Sequence, residues 1–171
     1  MAQLRKANAY KKLTRAYTRK SKYKKKGFIK VVPTSKVIKF HMGDLNKEFP
    51  KTIKMISKGT FQIRHNAIES CRTLVNRQLS KRFGSKGYRF IINQFPHHVL
   101  RENKMLTGAG ADRMQSGMKH SFGKAMGTAA QLKPGKTIFT VKVNEADVDF
   151  AKKALSKAKT RIPGKIRIEI S

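Results

Sequence analysis

The residue types that could carry chemistry gather in one stretch. Between Asn103 and Gly127 stand the glycines Gly108, Gly110, Gly117, Gly123 and Gly127, the neighbours Asp112 and Arg113, and Lys104, Lys119, His120 and Lys124. Glycine-rich loops cradle phosphates, so two templates apply. "GMKHSFGKA" (117–125) comes near a P-loop. However, five residues rather than four separate Gly117 from Gly123, and Ala125 stands where a Ser or Thr must hold magnesium. "GAGADR" (108–113) places Arg113 where a dinucleotide fingerprint needs its third glycine. Neither motif holds.

Metal and acid-base chemistry fare no better. The histidines His41, His65, His97, His98 and His120 lack the short paired spacings of a zinc site, and the adjacent His97 and His98 point to opposite faces of an extended chain. Glu102 and Asp112 are separated by a flexible run and flanked by Arg101 and Arg113, which makes them a poor proton-transfer pair. Asp112 beside Arg113 reads as a turn fixture. Cys71 lies on the apolar stripe of a predicted helix and behaves as a small buried hydrophobe rather than a nucleophile. The chain is therefore not read as an enzyme, and no catalytic residue, metal, cofactor or small-molecule substrate is expected.

What remains is a long irregular segment, 103–128, that holds four of the seven methionines: Met105, Met114, Met118 and Met126. Loops beyond about 12 to 15 residues inside a domain are usually functional or disordered. Glycine lets backbone amides approach phosphates and sugars, and methionine adapts to irregular surfaces. The segment reads as an arm that projects into a crevice of folded RNA.

The overall charge supports that partner. Forty Lys and Arg face nine Asp and Glu, a net +31 that opposes compaction unless a polyanion neutralises it. From Met1 to Gly43 there are 14 basic residues and no acid, with Tyr10, Tyr17, Tyr23 and Phe28 interleaved. Such a stretch repels itself and should order only along phosphates, with its rings free to stack. Within residues 1–30, the expected phosphate contacts are Arg5, Lys11, Lys12, Arg15, Tyr17, Arg19, Lys20 and Lys22. A single cysteine fits a reducing cell interior. Neither a secretory h-region nor a run of about 18 apolar residues is evident, so no membrane role is expected.

The remaining 31–171, with 39% of the whole chain hydrophobic, suits one domain with one modest core. Strands are expected at Lys36–Met42 and Lys51–Ile56, then a helix over 61–82 with Ile63, Ala67, Cys71, Leu74, Val75 and Leu79 as its stripe and Gly84 as its stop. Two strands flank Pro96. "TIFTVKV" (137–143) alternates as a strand, and Asn144 with Asp147 predicts an N-cap for a helix running to Ala158, where Glu145, Asp147 and Asp149 suit the helix start. Pro163 and Gly164 turn the chain into a last strand, "KIRIEI". The sum is an α+β two-layer sandwich: about six short strands of mostly antiparallel sheet and two main helices.

"NKMLTGAGADRMQSGM" (103–118), followed by "FGKAMGT" (122–128), resembles the signature block of the archaeal and eukaryotic "L ten e" family of large-subunit ribosomal proteins, counterparts of the bacterial "L sixteen" proteins. "AYTRKSKY", "QIRHNAIES" and "RIPGK" extend the resemblance over nearly the whole chain, and "TGAGADR" with the doubled histidine is similar to the archaeal branch. The run Ser21 to Lys30 is more lysine-rich than the family pattern. The resemblance implies an α/β-hammerhead fold and a cytoplasmic place in the large subunit beside rRNA and neighbouring ribosomal proteins. It also implies an arm, about 103–117, that supports tRNA acceptor arms near the peptidyl transferase centre. Its matching residues are Arg101, Lys104, Met105, Gly108, Gly110, Asp112, Arg113 and Gln115; Lys119 and Lys124 extend the cationic loop. A free nucleic-acid-binding, packaging or chaperone protein is the alternative that composition leaves open.

Overall fold

The computed structural model describes residues 5–13, 29–103, 105–106, 108–115 and 117–171. Eight strands occur among them: β1 (His41–Gly43), β2 (Lys51–Ser57), β3 (Phe61–Arg64), β4 (Arg89–Ile92), β5 (His98–Glu102), β6 (Lys124–Leu132), β7 (Thr137–Val143) and β8 (Ile166–Ile170). They form two antiparallel sheets, one ordered β1-β4-β7-β2-β8 and the other β3-β6-β5. The main helices are α1 (His65–Phe83) and α3 (Val148–Ala158), and α2 (Ala111–Met114) is a single turn. The expected α+β class with two main helices is what forms.

The core follows from the spacing of apolar residues. β7 is central in its sheet and buries Ile138, Phe139, Val141 and Val143. α1 buries Ile68, Cys71, Val75 and Leu79, spaced three or four apart so that they fall on one face. α3 presents Ala151, Ala154, Leu155 and Ala158 to the same cluster. Its alanines let the two helices come close, and Cys71 Sγ lies 3.6 Å from the Ala158 carbonyl oxygen.

Four boundaries depart from expectation, each for a local reason. The helix expected from 61 begins at His65, because "FQIR" alternates with period two and zips onto β6, with Phe61 opposite Leu132 and Ile63 opposite Ala130. With that shift, Ala67 and Leu74 flank the buried line of α1 rather than lie in it. The strand expected over Lys36–Met42 is only His41–Gly43; Val37 is buried upstream of it, while Ile38 is 82% exposed. Asn144 makes no side-chain cap: a 3-10 turn at Glu145–Asp147 intervenes, and α3 starts at Val148. The expected loop to residue 128 ends at Gly123, where β6 begins. "KAMGTAAQL" looks unlike a strand because its residues are small, and small residues suit a strand that pairs on both edges under α1.

Part of the N-terminal extension makes contacts with the domain. Residues Ala7–Tyr10 form a 3-10 turn, the Lys11 carbonyl accepts the Gln62 amide at 3.1 Å, and Tyr10 is buried against Leu100 and Ala129. Residues 5–13 thus hold to the edge of the three-stranded sheet. Lys12 is exposed there.

Candidate RNA interface

The arm leaves and re-enters the body between β5 and β6, where Glu102 pairs with Lys124. Gly123 makes this junction possible. Its φ is +78°, and a Cβ there would lie 2.6 Å from the Glu102 carbonyl carbon and 2.8 Å from the Asn103 nitrogen, so the returning chain can pass the outgoing one only without a side chain. The Arg101 guanidinium lies 4.0 Å from the Phe122 ring centroid and donates to the Phe122 carbonyl at 3.2 Å. Asn103 Nδ2 donates to the Gly117 carbonyl at 3.3 Å and ties the two limbs together.

Glu102 anchors the same root from the other side. Its carboxylate accepts the Tyr10 hydroxyl at 2.7 Å and pairs with the Arg5 guanidinium. Burial, and then this hydrogen bond to Glu102, raise the Tyr10 pKa above its ordinary value. A cleft of about 470 Å³ between the N-terminal segment and the arm is lined by Arg5, Tyr10, His98, Arg101, Glu102 and Phe122, among others. Arg5, expected as a phosphate ligand, pairs with Glu102.

Beyond the root, the arm is shaped by backbone hydrogen bonds. Gly108 and Gly110 have φ of +131° and +78°, and the amides of Ala111 and Arg113 bond to their carbonyls at 3.2 Å each, opening the turn that contains Asp112. Gln115 Nε2 returns to the Leu106 carbonyl at 2.5 Å. A Cβ at Gly108, Gly110 or Gly117 would meet nothing within 4 Å, so these positions leave bare backbone facing outward. Met105 is 56% exposed and Met118 70%, with Leu106 and Phe122 also exposed, while Arg113, Lys119 and Lys124 supply exposed positive charge. Apolar and cationic groups interleaved on a glycine-rich arm suit the sugars, base faces and phosphates of folded RNA better than they suit bulk water.

The structure brings Arg101, Met105, Gly108, Gly110, Asp112, Arg113, Gln115, Lys119 and Lys124 onto the arm or its root. Lys104, Arg15, Tyr17, Arg19, Lys20 and Lys22 lie outside the described residues. Sequence reasoning missed Tyr10, Asn103 and Phe122 as root residues and weighed Glu102 only as an acid-base candidate. Among the described residues no three of His, Cys, Asp and Glu converge as metal ligands, and no helix is long and apolar enough to cross a membrane. Burial pushes the Cys71 thiol up to about 12, consistent with a packing role.

The model of the family described as ribosomal protein L16p/L10e matches residues 17–169. The chain belongs to the L16p/L10e family. Relatives named large ribosomal subunit protein uL16 agree. That of Methanococcus maripaludis strain C7 is 43% identical over 154 residues, 90% of this chain and 89% of the relative. In strain S2 of the same species, the identity is 42% over 169 residues, 98% of this chain and 94% of the relative. The Methanocella arvoryzae protein is 43% identical over 162 residues, 94% and 91% of the two chains. These organisms are archaea, in keeping with the archaeal resemblance of the L16p/L10e signature. The match begins at residue 17, so the docked segment 5–13 lies outside it.

Proposed function

We propose that the chain is a structural constituent of the cytoplasmic large ribosomal subunit, bound to its rRNA and to neighbouring ribosomal proteins, with no catalytic chemistry of its own. The arm supports rRNA and the acceptor arms of bound tRNA near the peptidyl transferase centre. The observation that carries this reading is the arm itself, rooted at Arg101, Glu102, Asn103 and Gly123 and bearing exposed Met105, Met118 and cations. Family membership and the +31 charge point the same way. Phosphate contacts dominate such binding: about 6 to 10 of them would weaken affinity roughly 10³- to 10⁵-fold between 50 and 200 mM salt.

Two measurements test the reading. The chain should co-sediment with the large subunit through high-salt sucrose gradients; recovery only as free protein would favour a packaging or chaperone role. Deleting residues 104–116 joins the limbs where Asn103 already reaches Gly117. Since no described arm residue belongs to either core cluster, the melting temperature should hold while peptide synthesis slows. A collapse of the melt would show that the arm serves the body instead.

A further inference from the structure

Away from the arm, α1 and α3 run antiparallel. The ring of Phe83, at the end of α1, meets that of Phe150, at the start of α3, edge-on at 5.4 Å, and Arg161, just past α3, donates to the Ser70 carbonyl at 2.8 Å. The outer side of this pair carries two hollows of about 430 and 360 Å³ that share Gln78 and Lys81 and so form one groove. Arg77, Lys81 and Arg161 line one half, and Lys81, Arg82 and Lys157 the other; no acid is among the described residues that line either. The floor is apolar, with half-buried Leu74 in one half and exposed Phe150 in the other. Glu69, the acid on α1, is taken up by Arg72 at 2.6 Å.

We propose that this groove is a second RNA surface, separate from the arm, that seats a sugar-phosphate backbone. The proposal rests on the ribosomal reading, which supplies large-subunit rRNA as the polyanion, and adds the face of the body that meets it. Arg77 and Lys81, four residues apart on α1, are about 6 Å apart along the helix axis, a step comparable to that between neighbouring phosphates on one strand. A row of cations at that interval suits a chain of phosphates, whereas a single bound phosphate needs donors converging on one point. The open form of the groove also argues against a small ligand, which an enclosed pocket would bury. Its apolar floor gives ribose a surface to rest on, and no acid lines it to repel the backbone.

The test uses the full chain and a large-subunit rRNA transcript, reading the slope of log affinity against log salt. Replacing Arg77, Lys81 and Lys157 together by Gln should reduce the slope by about 3, roughly one for each phosphate left without its cation. Lys119→Gln with Lys124→Gln on the arm should add its own reduction independently, and Arg77→Lys should keep the native slope. If the triple variant melts differently from the native chain, Lys81→Gln and Lys157→Gln taken singly should each lower the slope by about 1. An unchanged slope with an unchanged melt overturns the proposal. So does an unchanged slope with loss of subunit co-sedimentation, which would make the groove a protein contact. A native chain that binds no rRNA defeats the ribosomal reading itself, and the groove with it.

Discussion

His65 opens α1 with its ring nearly out of solvent, and its Nδ1 accepts the Lys36 amide at 2.9 Å, which places the ring proton on Nε2. Burial, and then the cations Lys36 and Arg64, hold its pKa below the usual 6.5. An imidazole whose pKa is depressed on folding contributes its full stability above pH 6.5 and loses it as pH falls, because the unfolded chain takes up a proton that the folded one resists. Unfolding free energy should therefore drop between about pH 7 and about pH 5. His65→Gln should lose less over that interval; equal losses in both proteins would assign the pH dependence elsewhere. Such roles divide by what sequence can reveal. Cys71 could be read as a packing residue because its neighbours at helical spacing define its face. His65 and Arg5 could not, since their partners lie 29 and 97 residues away and nothing local announces them.

Among the elements, α1 could be predicted from its period, yet its register against the core could not. "FQIR" and the helix share apolar residues, and only pairing with β6 decides that Ile63 belongs to a strand. The consequence is quantitative. Leu79 is fully buried, so Leu79→Ala should cost about 2 to 5 kcal/mol through the cavity left behind. Leu74 lies beside the core and lines the surface groove, so Leu74→Ala should cost only about 1 kcal/mol. Urea denaturation of the two variants checks the order, and equal losses would put Leu74 back in the core. β6 escaped sequence reading for the opposite reason: Gly127, Ala129 and Ala130 have weak strand preference, and their small size makes sense only once α1 and two partner strands are in place. The arm was easiest to read, because its lack of any period was itself the signal.

For the whole molecule, charge sets the conditions of stability. With +31 on 171 residues and few internal ion pairs among the described residues, the isolated fold works against its own repulsion. Its thermal midpoint should rise as monovalent salt goes from about 10 mM to about 0.3 M, since the screening length shrinks from about 30 Å to well under 10 Å. Calorimetry showing a flat or falling midpoint would mean that repulsion does not limit the fold. The order of strands adds a constraint of timing. In the five-stranded sheet β1 pairs with β4, β4 with β7, β7 with β2, and β2 with β8, so no neighbours are consecutive in the chain. Of this sheet, a nascent polypeptide that stops short of Thr137 can zip only β1 to β4, and β2 waits unpaired until its partners on either side have been made. Closure of the sheet thus waits until both β7 and β8 have been made, the slow regime expected when distant strands must find each other.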